Sequence, residues 1–286
     1  FHLMPNIDVY ILYPENKITH LQEQQITTLG DNIHAIEVKG TFDDCQMLVK
    51  SALLDKDIRQ AGLITTANSI NISRLLPQTI YHSFGICQLL KQNVQAAPVL
   101  VVPSGNFGNL TSAIYAQRIG FNVKHFIAAT NINDIVPQYL HSGKFAPQPS
   151  RHSLSNAMDV GNPSNFERLL ANYNGDFHAL QNAVEGMVIT DPETLTEIRR
   201  TYETDQYILD PHTAVGVAAA RKLTQYSGSP IIVTATAHPA KFPEVIQEAI
   251  GKQAEVPELL QAALAGTKQA VPLLPDFREF KALLLK

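Results

Sequence analysis

Cysteine is scarce in this 286-residue chain: only Cys45 and Cys87 occur, far apart and outside any metal-like spacing. That excludes a small disulfide-stapled module, and two isolated thiols point to a reducing compartment. Long apolar runs are missing too. None approaches the roughly 18 residues of a membrane span, and no basic-then-apolar signal peptide is present, so the chain reads as cytoplasmic with no membrane partner. No Lys/Arg run appears, and 22 basic against 26 acidic residues leave a formal charge of −4. A protein that lives on nucleic-acid phosphates is normally basic, so no nucleic-acid partner is expected. No His/Cys/carboxylate cluster has zinc spacing, and no Gly-x-Ser-x-Gly elbow exists, so no metal ligands are assigned.

What is there is an ordinary globular composition, 45% apolar and 17% charged, with a mean hydropathy of −0.04. At roughly 150 residues per domain the length gives about two domains. The first residue is Phe1 rather than Met, and it reads as a cut.

Strand and helix patterns alternate along the chain. Residues 7–13 form a β-branched and aromatic run ended by Pro14, followed by helix formers over 18–29. Residues 33–38 read as extended, Thr41 as the cap of a helix to about Leu54, and residues 63–66 as extended again. A long amphipathic segment interrupted by Pro77 covers 71–91. Residues 98–103 are apolar on both alternating faces, as a central parallel strand should be. A helix over 110–119, a strand over 123–129 and a helix over 135–141 come next, then a polar loop over 142–164, a length usual for functional or mobile loops. Helices are expected over 166–171, 177–185, 192–202, 213–223 and 242–250, with a strand over 231–236. The tail from Val256 packs at an end or edge. Alternation of this kind means crossover connections and parallel sheets, an α/β protein. The composition break at 93–98 marks a domain boundary, with residues 1–95 a partial small α/β domain and 96–286 a larger one.

Three segments carry chemistry. Ser104-Gly-Asn-Phe-Gly-Asn109 lies between a buried strand and a helix, where two glycines and a helix N-terminus make a phosphate cradle or an ordinary βα turn. It fits neither the Rossmann nor the Walker pattern, so nucleotide binding is disfavoured. Thr234-Ala-Thr-Ala-His-Pro-Ala-Lys-Phe242 follows another buried strand at its carboxyl end, where α/β proteins place ligands. There Thr236 offers a hydroxyl and Lys241 a charge, or they merely end a strand and meet solvent. Ala67-Asn-Ser-Ile-Asn-Ile-Ser-Arg74 groups Asn68, Ser69, Asn71 and Arg74, suited to a small anionic substrate or simply to helix capping. Asn156-Ala-Met-Asp-Val-Gly-Asn-Pro-Ser164 borders a crevice or turns the chain. His212 and His238 read as hydrogen-bonded structural histidines.

These segments resemble landmarks of the threonine synthases, fold-type-II pyridoxal-phosphate enzymes, in their bacterial and fungal form. Tyr13-Pro-Glu-Asn-Lys17, Gly40-Thr-Phe-Asp-Asp-Cys45, Phe126-Ile-Ala-Ala-Thr-Asn131 and Pro211-His-Thr-Ala-Val-Gly216 join them in order, over most of the chain. The resemblance implies two open twisted parallel-sheet domains, the smaller one incomplete. It implies pyridoxal 5'-phosphate as cofactor, with Gly105, Asn106, Phe107, Gly108 and Asn109 around its phosphate and Thr236 facing its ring nitrogen. It also implies conversion of O-phospho-L-homoserine and water to L-threonine and phosphate, the last step of threonine biosynthesis. Other fold-type-II lyases, a threonine-synthase-like phospholyase and a non-catalytic anion-binding module are the alternatives. The family's Schiff-base lysine segment and its Ser-Gly-Asp-Thr-Gly substrate loop have no match here. Lys241 occupies a family position that is not the Schiff-base lysine. The catalytic lysine is therefore expected upstream of Phe1, with no catalytic residue in this chain, which by itself is expected to be inactive.

Overall fold

The computed structural model describes residues 1–69 and 71–286; Ile70, within the Ala67 to Asn71 segment, lies outside the described residues. The chain begins with β1 (Val9–Pro14), α1 (His20–Thr27), β2 (Ile33–Val38), α2 (Phe42–Leu54) and α3 (Lys56–Ala61). It continues through α4 (Ile72–Lys91), β3 (Val99–Pro103), α5 (Gly108–Arg118), β4 (His125–Thr130) and α6 (Ile135–Ser142). After a long connection come α7 (Phe166–Ala171), α8 (Phe177–Ala183), β5 (Val184–Val188), α9 (Asp191–Asp205) and α10 (Pro211–Arg221). The last elements are β6 (Ile231–Val233), α11 (Pro243–Ile250), α12 (Glu258–Ala265), β7 (Val271–Leu273) and α13 (Phe277–Leu284).

Contacts divide these into two compact units: residues 1–66 with 255–286, and residues 67–254. The composition break at 93–98 thus falls inside the second unit, because Ile86 of α4 packs in one core with Leu110 and Ile114 of α5.

In the first unit the sheet order is β1-β2-β7, all parallel. Ile36 and Val38 of β2 pack with Leu48 of α2, Leu273 of β7 and Phe280 of α13. As expected, Thr41 caps α2: its hydroxyl accepts from Asp44 N, and the Asp44 carboxylate accepts from Thr41 N at 2.7 Å. Two findings differ from the sequence reading. Residues 63–66 form no strand, and Leu63 is exposed. The place beside β2 goes instead to β7 from the distant tail, which Lys268 ties down through 2.7 Å bonds to both Glu23 and Glu37.

The second unit holds a parallel sheet of order β5-β4-β3-β6. Alternation along the central strands divides two cores cleanly. Leu100, Val102, Phe126 and Ala128 face one side with α5 to α8, while Val99, Val101, Ile127 and Ala129 meet Val215 and Ala219 of α10 on the other. The helix expected to run to Glu185 stops at Ala183, and β5 begins with Val184 opposite Phe126. Tertiary pairing overrides the local pattern there, and Gly186 lets the strand pass Pro137, whose Cα would lie 2.7 Å from an added Cβ. β6 also ends at Val233, three residues short of Thr236.

Helix α10 approaches the sheet so closely that a methyl group on Gly216 would meet Val233 Cγ1 at 2.6 Å and Pro103 Cγ at 3.0 Å. Overpacking of this kind costs about 1–3 kcal/mol. Gly216→Ala is expected to lower the unfolding free energy by that amount in urea titration, and an unchanged midpoint would contradict the close approach.

Candidate functional site

Helix α5 begins in an unusual way. Ser104 N donates to Ala129 O at 2.8 Å and Ser104 Oγ to Val102 O at 2.8 Å, which fixes the end of β3. The chain then turns through Phe107, a left-handed residue (φ 61°) whose ring is buried at 3% exposure. Phe107 occupies the N-cap position and has no side-chain acceptor to offer. Thr111 N, donating to Phe107 O at 3.0 Å, makes the first backbone bond of the helix. Among the described residues, no oxygen accepts from the N–H groups of residues 105–110. A helix N-terminus with free donors and the positive end of its dipole favours an anion. The missing cap distinguishes this loop from an ordinary βα turn, in which a Ser or Asp side chain would satisfy such donors.

Gly105 is required by what presses on it, whereas a Cβ at Gly108 would be in ordinary contact. An added Cβ at Gly105 would lie 2.6 Å from Met158 Cα and 3.0 Å from Ala157 O, and one at Gly108 3.4 Å from Asn165 Nδ2. The 156–158 turn is held there by His212. Its Nε2 accepts from Ala157 N at 3.2 Å, and its Nδ1 donates to Asp210 Oδ1 at 3.0 Å. Asp210 is buried and also caps α10 by accepting from His212 N. His212 is thus a hydrogen-bonded structural histidine, as is His238, whose Nδ1 accepts from Ala240 N at 3.2 Å. The 142–164 loop is pinned rather than loose: Asp159 Oδ1 accepts from Asn131 Nδ2 at 2.9 Å and Ser153 Oγ at 2.6 Å.

Asn106 ties three segments together. Its Nδ2 donates to Ser69 Oγ at 2.5 Å, and its Oδ1 accepts from Ser164 N at 2.6 Å and Ser164 Oγ at 2.9 Å. Asn165 Nδ2 adds a bond to Ser69 O at 3.0 Å. Of the four residues expected to meet substrate, Ser69 is therefore bound to the glycine loop. Asn71 instead caps α4 by accepting from Ser73 N at 2.9 Å, and the exposed Arg74 donates to Ala67 O at 2.7 Å. Asn68 is exposed, and its carbonyl accepts from Asn71 N at 2.9 Å. Thr236 is also exposed. Thr234 N donates to Val101 O at 3.0 Å, so the segments after β6 and β3 leave the same carboxyl edge of the sheet.

Sequence reasoning missed His82 and Asn165. His82, on α4, is buried at 1% exposure, and its Nε2 lies 3.2 Å from both Asn109 O and Ser112 Oγ. Burial pushes its imidazole down to about 4. Among the described residues, the buried Oδ1 atoms of Asn109 and Asn165 have no hydrogen-bond partner. A His within an apolar helical pattern and an Asn one residue beyond a motif carry no signal until tertiary contacts exist. The donors of the loop fit a phosphate group: they are N–H groups with no carboxylate among residues 104–109. None of the converging segments, 67–74, 104–109 and 156–165, contains a lysine.

Residues 3–237 match the family model for pyridoxal-phosphate dependent enzymes, and residues 213–283 that for the threonine synthase C-terminal region. The chain is 40% identical to threonine synthase from Haemophilus influenzae, over 100% of this chain and 66% of that relative. It is 41% identical to the Escherichia coli enzyme over 91% of this chain and 60% of the relative. The crystal structure of Escherichia coli threonine synthase superposes with a TM-score of 0.86 and 38% identity, over 98% of this chain and 65% of that one. The structure of PLP-bound threonine synthase from Brucella melitensis gives 0.87 and 32%, over 97% and 65%. The chain thus spans between 60% and 66% of the length of these two curated relatives.

His82 yields a prediction about acid stability. Its folded pKa lies below the unfolded one, so the unfolded state binds more protons between about pH 6.5 and 4. Stability is full above that window and falls as pH drops through it, by on the order of 3 kcal/mol. In His82→Gln this part of the slope should vanish from denaturation midpoints measured between those pH values.

Proposed function

Because the chain belongs to the threonine synthase family of pyridoxal-phosphate-dependent enzymes, we propose that it carries the cofactor-phosphate site of a threonine synthase, which turns O-phospho-L-homoserine and water into L-threonine and phosphate. The observation that carries this reading is the row of N–H groups over residues 105–110 without acceptors among the described residues, behind a helix start that has no side-chain cap.

On this reading the backbone of Gly105, Asn106, Phe107, Gly108 and Asn109 holds the cofactor phosphate, and Thr236 offers its hydroxyl to the ring nitrogen. Pyridoxal phosphate, when bound, supplies the electron sink for the reacting carbons of the substrate. The residues of this chain bind and orient. The neutral donors of the loop favour a dianion without introducing a counter-charge, and the helix dipole adds to them. Asn106, bonded to both Ser69 and Ser164, keeps the loop in one shape. Preorganisation of that kind reduces the ordering cost of binding. A hydroxyl at Thr236 gives a hydrogen bond where a carboxylate would give a charge. Ser69 is the substrate-side residue bonded to this loop, with Asn68, Asn71 and Arg74 beside it on the same segment. The reading places the Schiff-base lysine outside these 286 residues, in keeping with the absence of lysine from the converging segments. The unpaired Cys45 and Cys87 fit a cytoplasmic setting. No helix among the described residues is long and apolar enough to cross a membrane.

The test is a chimera in which this chain is joined, in the relative's order, to the third of Haemophilus influenzae threonine synthase that it does not match. The chimera should release phosphate from O-phospho-L-homoserine and support growth without threonine in a strain lacking the enzyme, whereas the 286-residue chain alone should do neither. Gly105→Ala should weaken cofactor retention at least tenfold. A chimera that keeps the cofactor, releases no phosphate and turns over another amino acid would mark a different lyase.

A further inference from the structure

Helix α4 reaches the first turn of α5 with two polar side chains from one face. Gln78 and His82 lie four residues apart, about one helical turn, and so project on the same side. Asn109 Nδ2 donates to Gln78 Oε1 at 3.2 Å, and His82 Nε2 lies 3.2 Å from both Asn109 O and Ser112 Oγ. Ser112 Oγ donates to the same carbonyl at 2.6 Å. Its one proton is spent there, so it offers His82 a lone pair only, and a carbonyl oxygen offers nothing else. Nε2 therefore carries the proton of a neutral ring, and Nδ1 is a bare acceptor with no partner among the described residues. Burial, which pushes the imidazole down to about 4, keeps the ring in that form. An imidazole at 1% exposure with an orphaned nitrogen is a costly way to fill the space between two helices. Such a group calls for a task.

The task follows from the shape of the peptide unit. The bond between Asn109 and Leu110 is trans, so the Asn109 carbonyl and the Leu110 N–H point in opposite directions. At a helix start the carbonyl points into the helix and the N–H out of its N-terminus. Leu110 N–H closes the row of donors over residues 105–110 that have no acceptor among the described residues. Donation to a carbonyl polarises its peptide unit, which strengthens the N–H at the other end as a donor. We propose that His82, together with Ser112, is a positioning residue for the phosphate group of the cofactor: by donating to Asn109 O, the two side chains fix the 109–110 peptide unit and aim its N–H into the cradle. A binding group held by locked neighbours keeps its productive geometry before the ligand arrives. His82 acts through one peptide unit and not on the phosphate itself. The inference rests on the cofactor-phosphate reading of the loop.

The test compares how the cofactor-free chimera described above binds pyridoxal 5'-phosphate and pyridoxal, which lacks the phosphate. His82→Leu removes the donor, and His82→Gln returns an amide N–H at the reach of Nε2. The expected result is about fivefold weaker binding of pyridoxal 5'-phosphate in His82→Leu, binding within about twofold of the unsubstituted chimera in His82→Gln, and equal affinity of all three for pyridoxal. Unchanged binding in His82→Leu overturns the proposal, as does a Gln variant as weak as the Leu variant. An equal loss for both ligands also overturns it, because general loosening between α4 and α5 would produce that. If His82→Leu shows no cooperative unfolding transition in urea, Ser112→Ala decides, since it removes the other donor to Asn109 O. An undiminished preference for the phosphate-bearing ligand in Ser112→Ala then overturns the proposal. An unsubstituted chimera that binds both ligands equally sinks the phosphate-site reading and this inference with it, whereas failure of the His82 variants alone leaves that reading standing.

Discussion

The turn from β3 into α5 sets a constraint that much of the second unit serves. Phe107 takes a left-handed backbone conformation with its ring buried, so the helix starts without a capping side chain and, among the described residues, nothing accepts from the N–H groups of residues 105–110. Buried donors without acceptors are costly, and a loop free to relax would turn them toward its own carbonyls. Here relaxation is opposed from several directions. The 156–158 backbone lies against Gly105, the Asn106 side chain is bonded on both its atoms, and Asn165 reaches Ser69 beside Gly108.

Each of these supports has its own support. The 156–158 turn depends on His212, whose ring orientation is set by Asp210, which in turn caps the helix that packs on the far face of the sheet. His82 holds Asn109 from the side of α4, and its place in the interior keeps it neutral. A neutral imidazole is compatible with the positive end of the α5 dipole in a way that an imidazolium is not. The buried Oδ1 atoms of Asn109 and Asn165 remain unpartnered among the described residues, a cost of about 1–3 kcal/mol each in a closed interior. Such costs concentrate where a structure serves binding rather than stability.

Much of this was legible in the chain. The apolar run at 98–103 has the composition of a strand covered on both faces, and β3 is that strand. Thr41 followed by Asp44 is a capping pattern, and it forms the capping box. The default for His212 and His238 is a structural role, and both are hydrogen-bonded in that way. Less was legible where one segment's role depends on a distant one. Val184 to Val188 carries no strand signal strong enough to end a helix, yet β4 offers it an edge to pair with. Residues 271–273 are too short to announce a strand, and they become one only because β2 lies beside them.

Local chemistry along the chain determined the alternation of strands and helices, the parallel character of both sheets, the glycine-loop motif and the family to which it belongs. These depend on periodicity, caps and turn residues within a few positions of one another. Tertiary structure alone decided that Ser69, rather than Asn71 or Arg74, joins the glycine loop, that His82 and Asn165 flank it, and that the tail completes the first sheet. Those outcomes depend on contacts between segments tens to hundreds of residues apart. Burial and hydrogen-bond satisfaction choose among such contacts only when the whole chain is packed.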